Sequence, residues 1–271
     1  MNYRHAFHAG NHTEVFKHAA LAAIICRLRD KPTPFLVIDT HAGVGTYDLR
    51  SVEAQKTNEA REGIGRVYSK AIPSAEAYLN IVRSMNPSGL TVYPGSPSIV
   101  RSLLRGNDRL IACELHDEDA ASLRLAFKSD KRVSVHRRDG YEAMIAFVPP
   151  IERRGVIFVD PPFESKNEFR LLAQKLGEAH KKWPTGLFAI WYPIKSTMPS
   201  VLFLDEIKAL GISKCLSVRF LRYRVDDKAL AGSGMLFVNP PWNFDLTLRT
   251  ICAELMEAFK AADGEWSVEW L

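Results

Sequence analysis

Cysteine is scarce and scattered in this sequence: Cys26, Cys113, Cys215 and Cys252, with no Cys-x-x-Cys pair. That spacing excludes a disulfide scaffold and a thiolate zinc site, and most of these thiols sit in apolar stretches where they pack as small hydrophobes. A reducing, cytoplasmic setting is expected. Long hydrophobic runs are also missing. None approaches the roughly 18 apolar residues that a span needs, and no charged-then-apolar leader opens the chain, so neither membrane insertion nor secretion is expected. There are no repeats or low-complexity segments. What is present is enough to bury one large core: 271 residues, 46% apolar and 25% charged. The formal charge is +5 and the pI about 9.0, a modest basic excess compatible with a nucleic-acid partner.

The most informative stretch is Gly155-Val-Ile-Phe-Val-Asp-Pro-Pro-Phe163. Four apolar residues led by glycine suit a parallel strand covered on both faces, and the prolines stop it because they cannot donate to a ladder. Asp160 is thereby held at the carboxyl edge of a sheet. Its carboxylate and the Pro161 carbonyl are free to accept hydrogen bonds, and the Phe163 ring can stack on something flat. An exocyclic amine of a nucleobase suits all three, and this acid-Pro-Pro-aromatic pattern is the one amino-methyltransferases use on adenine N6. A plain strand end followed by a proline turn would give the same letters.

Phe35-Leu-Val-Ile-Asp-Thr-His-Ala-Gly-Val-Gly-Thr46 is a second apolar strand, running into an acid and a Gly-x-Gly turn. In doubly wound α/β folds the first strand ends this way because glycine lets the backbone pass close to a ligand. Neither a third glycine nor a phosphate-cradling lysine follows, which argues against a dinucleotide and a P-loop. S-adenosylmethionine, whose adenosine carries an amino acid in place of pyrophosphate, needs less of a cradle. Asp39 reads equally as a structural acid, and His41 as a cap of the turn.

A ribose-binding acid is expected about 20 residues after such a loop. The next strand ending in one is Arg109-Leu-Ile-Ala-Cys-Glu-Leu115, so an insertion intervenes. Residues 48–92, with Pro73, Pro87 and Gly89 as punctuation, read as short polar helices. That divides the chain into a main domain of 1–47 and 93–271 and an inserted helical subdomain of 48–92. A helix then starts at Ser96-Pro97, with Ser96 as N-cap facing the cofactor loop. Glu114 is the candidate for the ribose hydroxyls, against the plainer reading of an edge acid. Asp139-Gly140, after a strand at 133–139, stands where an adenine amino group would lie. Strands at 187–192, 213–222 and 234–238 and helices at 117–127, 140–147, 167–180, 199–210 and 246–259 complete a mainly parallel sheet of seven strands with right-handed crossovers.

Gly234-Met-Leu-Phe-Val-Asn-Pro-Pro-Trp242 competes with the Asp160 stretch on pattern. The short connection at 223–233 makes the last two strands an antiparallel hairpin, so the final one runs backwards and Asn239 falls on the opposite edge. Catalysis is therefore assigned to Asp160. At the other end, His5, His8 and His12 have spacings that invite a metal. No cysteine or carboxylate completes the set and Gly10-Asn11 interrupts it, so no metal is expected. The favoured reading is a polar arm whose Tyr3, Arg4 and His5 stack on a base and touch phosphate, mobile without substrate, and then a helix to Arg29. Lys17, flanking the apolar stripe of that helix, is oriented by the arm toward the target base or its phosphate.

Taken together, Tyr3-Arg-His-Ala-Phe-His-Ala-Gly-Asn-His12, Asp39-Thr-His-Ala-Gly43, Tyr93-Pro-Gly-Ser-Pro97, Asp160-Pro-Pro-Phe163 and Asn239-Pro-Pro-Trp242 resemble the 23S ribosomal RNA adenine-N6 methyltransferase J family. The resemblance spans nearly the whole chain. It implies a class I methyltransferase fold, Rossmann-like, with a small helical insertion after the first strand, S-adenosylmethionine as cofactor, a monomer, and methylation of one adenine in 23S ribosomal RNA. It places the cofactor near His18, His41, Gly43, Ser96, Glu114, Asp139, Gly140 and Asp160, with Asp160 also catalytic and Tyr3 near the RNA. The family's usual tyrosine is Phe163 here, which keeps the stacking face and loses a hydroxyl. Family members are also described as taking part in the use of external DNA, so a DNA-binding or DNA-processing protein is the alternative. A nuclease would cluster its acids around a divalent metal, whereas these lie at separate strand ends. A purely binding module would not need the Gly-x-Gly loop paired with Asp160.

Overall fold

The computed structural model describes residues 5–226 and 229–271, so Tyr3 and Arg4 lie outside the described residues. In chain order, helix α1 (His12–Arg29) leads into β1 (Leu36–Asp39). Two short strands, β2 (Thr46–Asp48) and β3 (Val92–Pro94), pair antiparallel and bracket helices α2 (Val52–Thr57), α3 (Glu59–Glu62), α4 (Ile64–Val67) and α5 (Glu76–Ser84). Alternation then resumes with α6 (Ser96–Leu103), β4 (Arg109–Glu114), α7 (Asp117–Phe127), β5 (Val133–Arg137), α8 (Gly140–Ala146), β6 (Gly155–Val159), α9 (Glu168–Lys182), β7 (Leu187–Ile194) and α10 (Thr197–Ala209). The chain closes with β8 (Cys215–Leu221), β9 (Gly232–Val238), α11 (Phe244–Phe259) and β10 (Glu265–Trp270).

The strands form one sheet in the order β10-β8-β9-β7-β6-β1-β4-β5. Pairing is parallel from β5 through β4, β1 and β6 to β7, and antiparallel at β7–β9, β9–β8 and β8–β10. Strands β1 and β6 are buried at every position, as apolar runs covered on both faces must be. The sheet thus has eight strands where the sequence suggests seven. The eighth, β10, buries only Val268 among its residues, so it is an edge strand with no apolar run to announce it. Its outer neighbour is solvent and its charged residues keep that edge from pairing further.

The reversed β9 settles where its Asn-Pro-Pro ends. Val238 pairs with Phe188 at the start of β7, while Val159 pairs with Ile190 farther along. The Asn239 side-chain amide donates to the carbonyls of Pro184 and Gly186, each at 2.8 Å. Asn239 therefore pins the turn entering β7, on the edge opposite Asp160.

Helix α1 departs from the expected amphipathic pattern. It packs against β9 and α11 and is also covered by α5 and α6, so even Glu14, Lys17 and His18 are enclosed. Its N-cap is Asn11, whose side chain accepts from the Glu14 N–H at 2.9 Å. The start of α6 is shifted by one residue from the expectation. Gly95 occupies the cap, Ser96 the first helical position and Pro97 the second, because the Gly95 N–H is donated back to Gly45 at 2.9 Å.

The described part of the N-terminal arm is docked. His5–Phe7 forms a 3-10 turn, His5 bonds Glu14 at 2.8 Å, His8 bonds Glu59 at 3.0 Å, and the Thr57 hydroxyl donates to the Phe7 carbonyl. Polar contacts, one of them to an acid 51 residues away, join the buried Ala9 and the partly buried Ala6 in holding the arm. Residues 5–10, expected to be mobile without substrate, are docked in this structure.

Candidate active site

Asp160 follows β6 and meets an ammonium from the other end of the chain. Lys17 reaches the Asp160 carboxylate and, one helical turn back, that of Glu14. The Glu14 carboxylate is held in turn by His5. All three side chains are nearly excluded from solvent. Burial pulls the Lys17 ammonium down, but Asp160 and Glu14 outweigh it and raise it above its usual range. Burial pushes Glu14 up, yet His5, Lys17 and His18 together hold it well below the carboxylate range. At Asp160 burial prevails and the carboxyl is raised, with Lys17 offsetting only part of it. One cation thus serves two buried carboxylates.

The ammonium also lies 5.1 Å above the Trp191 ring, and Trp191 meets Phe163 edge-on at 6.0 Å. Phe163 is half-buried, adopts φ +52° and packs on Phe169 at 4.7 Å. Pro161 is buried, and among the described residues no backbone N–H donates to its carbonyl. Asp160, Pro161 and Phe163 therefore present two acceptors and a ring to the same space.

The ends of β1, β4 and β5 meet that space from the other side. Gly43 adopts φ +59°, and a methyl group there would sit 2.1 Å from the Tyr47 hydroxyl. Its N–H donates to Glu114 at 2.9 Å, and the His116 N–H donates to the other Glu114 oxygen at 2.9 Å. The carboxylate is fixed in orientation, with lone pairs left for further donors. Asp139 caps α8, accepting from the Tyr141 and Glu142 N–H groups through Oδ1 alone. A Cβ on Gly140 would fall 2.5 Å from the His41 ring and from the Thr40 carbonyl, so only glycine lets β1 and α8 approach. His41 bonds Thr40 at 2.8 Å and is pulled down to about 4 by burial, so its ring is neutral. His18 bonds the Tyr93 hydroxyl at 2.8 Å and, pulled down to about 3 by burial, is neutral as well.

Asp39 is different. Its carboxylate is fully buried behind the wall of this space without a well-formed hydrogen bond to either oxygen, and burial pushes it up to about 7, opposed by the nearby Ser96 hydroxyl and His41 backbone N–H, with Asp160 adding to the rise. A buried acid without a well-formed hydrogen bond is a place where a cationic ligand group would be welcome.

One cavity of about 1240 Å³ joins these parts. Lys17, His18, His41, Gly43, Ser96 and Glu114 line it, as do Asp139, Gly140, Asp160, Pro161 and Phe163. So does His5. Glu14 and Trp191 were missed from sequence. Glu14 was detectable through its spacing of three from Lys17 on one helix, whereas nothing in the Leu187–Ile194 run marks Trp191.

Residues 32–271 match the family model described as Ribosomal RNA large subunit methyltransferase D, RlmJ. The chain belongs to this family. Across its full length it is 39% identical to the Ribosomal RNA large subunit methyltransferase J of Escherichia coli strain K12, covering 99% of that protein. The protein of the same name from Haemophilus influenzae is 38% identical over the same shares. A crystal structure of a protein from Legionella pneumophila, described only by the family model DUF519, superposes with a TM-score of 0.91 at 32% identity, covering 97% of this chain and 98% of that one. A probable spermidine synthase from Corynebacterium glutamicum, at 12% identity and a TM-score of 0.53, shares the fold alone, with 94% of this chain and 75% of that one covered. The RlmJ match leaves the competing DNA reading without support.

Proposed function

We propose that this protein transfers a methyl group from S-adenosylmethionine to N6 of one adenine in 23S ribosomal RNA. The observation that carries the reading is that Asp160, Pro161 and Phe163 share one cavity with Glu114, Asp139 and His41 in a chain of the RlmJ family. The residues fit the cofactor. Glu114 keeps acceptor capacity for ribose hydroxyls, Asp139 Oδ2 and the neutral His41 edge suit the adenine, and the buried Asp39 carboxylate just behind the wall suits a cationic amino acid end. When bound, the cofactor supplies a methyl group already activated on a sulfonium.

The protein's share is positioning and charge. The Asp160 carboxylate accepts from one N6–H and the Pro161 carbonyl from the other, which localises the amine lone pair that the ring would otherwise delocalise. The raised pKa of Asp160 makes it a better temporary holder of the proton that leaves N6. Lys17 keeps Asp160 ionised and aimed until then. The family resemblance and the enclosure of α2–α5 between β2 and β3 support residues 48–92 as an inserted subdomain on a methyltransferase domain of 1–47 and 93–271. We read the protein as a monomer acting in the cytoplasm. Among the described residues no helix is long and apolar enough to cross a membrane, and no group of three metal-ligating side chains occurs.

Phe163→Ala should lose roughly 5- to 160-fold in kcat/KM, since stacking on a flipped base is worth about 1–3 kcal/mol, while Phe163→Tyr should stay near the native value. Steady-state kinetics on an RNA hairpin compares them, and an alanine variant as active as the native enzyme contradicts base stacking there. A second expectation concerns Asp39. A cation bound beside it favours the ionised form, so its pKa falls, protons are released and cofactor affinity rises between pH 6 and 8. Calorimetric enthalpies at pH 7 should therefore differ between phosphate and Tris buffers; identical enthalpies would remove Asp39 from the cofactor site. The function itself is tested by offering labelled S-adenosylmethionine with ribosomal RNA and, separately, with DNA. Label in RNA alone is expected.

A further inference from the structure

The cavity extends past the catalytic acid into a second lobe between α3 and the segment of residues 222–226 that follows β8. His8, Asn11, His12, Glu59, Glu62 and Tyr223 line it. Most polar groups in this lobe are already engaged. Glu59 accepts from His8 and from the Asn11 amide, and Glu62 accepts from Arg66 and Arg222. His12 is the exception. Its side chain is buried, with 8% of the residue exposed, and its Nε2 has no hydrogen-bond partner.

The protonation state follows from the neighbours. The Ala231 backbone lies close enough to favour a proton on the ring, and Nε2 is the ring nitrogen with no hydrogen-bond partner. With the ring neutral and its proton on the other nitrogen, Nε2 offers a lone pair. Burial, with Arg222 adding to it, pulls the group down to about 4, so that lone pair persists at neutral pH. Tyr223 meets the His12 ring in a T-shaped contact at 5.2 Å and is 42% exposed, so part of its phenol is open beside the orphaned acceptor. Arg222 backs that ring at 5.1 Å. An aromatic face next to a buried acceptor is what a nucleotide can satisfy, because every base has a π-face and its amine or its 2′-hydroxyl can donate. His12 precedes Lys17 by five residues on α1, roughly 7.5 Å along the axis. That exceeds the ~3.4 Å between stacked bases, so the lobe suits a neighbour splayed away from the target.

We propose that this lobe holds a nucleotide flanking the target adenine, its base on Tyr223 and its amine or 2′-hydroxyl donating to His12 Nε2. The proposal rests on the RNA methyltransferase reading and adds to it a residue that selects the sequence or sugar beside the target.

His12→Asn keeps a donor where Nδ1 stands and removes the acceptor; His12→Gln places an amide where Nε2 stands. With an oligoribonucleotide hairpin carrying the target adenine, His12→Asn should raise KM about tenfold with a smaller fall in kcat, and His12→Gln should recover most of it. Tyr223→Ala, at a half-exposed position that does not threaten folding, should raise KM similarly. For the native enzyme, one flanking nucleotide made 2′-deoxy, or given a base lacking its amine, should reproduce the loss, and His12→Asn should add nothing to it. The sugar arm and the base arm identify the donor. A native KM in His12→Asn and Tyr223→Ala overturns the proposal, as does insensitivity of the native enzyme to every flanking change. If the native enzyme methylates no adenine in RNA, the parent reading fails instead.

Discussion

Asp160→Asn is expected to lower methylation about 10³-fold while leaving the protein folded and able to bind its cofactor. Replacing a charged acceptor aimed at the reacting amine costs on the order of 10²–10³ in rate for a single preorganised group. Asparagine also offers the wrong polarity if its NH2 turns toward N6. Stability should survive, because the buried cluster holds two carboxylates and one ammonium. Removing the Asp160 charge leaves Lys17 and Glu14 as a matched pair. Turnover and thermal denaturation measured on one preparation check both halves of the expectation. Near-native turnover would show that the amine is handled elsewhere.

Lys17→Met attacks the same ion pair from the other side and should behave differently. It leaves Glu14 and Asp160 buried without their shared cation, and breaking a buried pair in this sense costs about 3–5 kcal/mol. The melting temperature should fall by many degrees. The sign of the pH dependence follows from the carboxyls. Without Lys17 the Asp160 carboxyl is raised further above its unfolded value, so the variant is least handicapped at low pH and loses stability as pH rises through that raised value. In the native protein Glu14 is instead held low, so its contribution is present above about 4.5 and is lost as pH falls below that. Activity at pH 7 should drop about 100-fold and recover partly in alkaline buffer, as the protonated Asp160 ionises. Equal stability of native and variant at pH 8 would contradict the buried-cluster account.

The contrast between these variants shows what sequence could and could not convey. The strand ends bearing His41, Glu114, Asp139 and Asp160 were legible because apolar runs stopped by Gly-x-Gly or Pro-Pro mark where a parallel sheet presents its carboxyl edge. The antiparallel turn that removes Asn239 was legible from the short, non-helical connection before it. The Lys17–Asp160 pair was not, since its partners lie 143 residues apart and helical spacing placed Lys17 beside an apolar stripe. Lys17 was expected to point toward the target base or its phosphate; its ammonium lies on Asp160 and Glu14, contacts no sequence pattern announced. Only the burial of α1 on all sides, imposed by α5 from the inserted region, turns that surface residue into a core one. Strand β10 escaped for the opposite reason, being too exposed to leave an apolar signature. Tyr3 lies outside the described residues, so its expected role at the RNA stays a matter of resemblance.

The most direct test of N6 methylation is nucleoside analysis after labelled S-adenosylmethionine is incubated with the native protein and with Asp160→Asn on unmodified 23S ribosomal RNA. The account predicts that the native protein places label in N6-methyladenosine at about one per RNA, and that Asp160→Asn places almost none. Label in any other nucleoside, or equal N6-methyladenosine from both proteins, would contradict it.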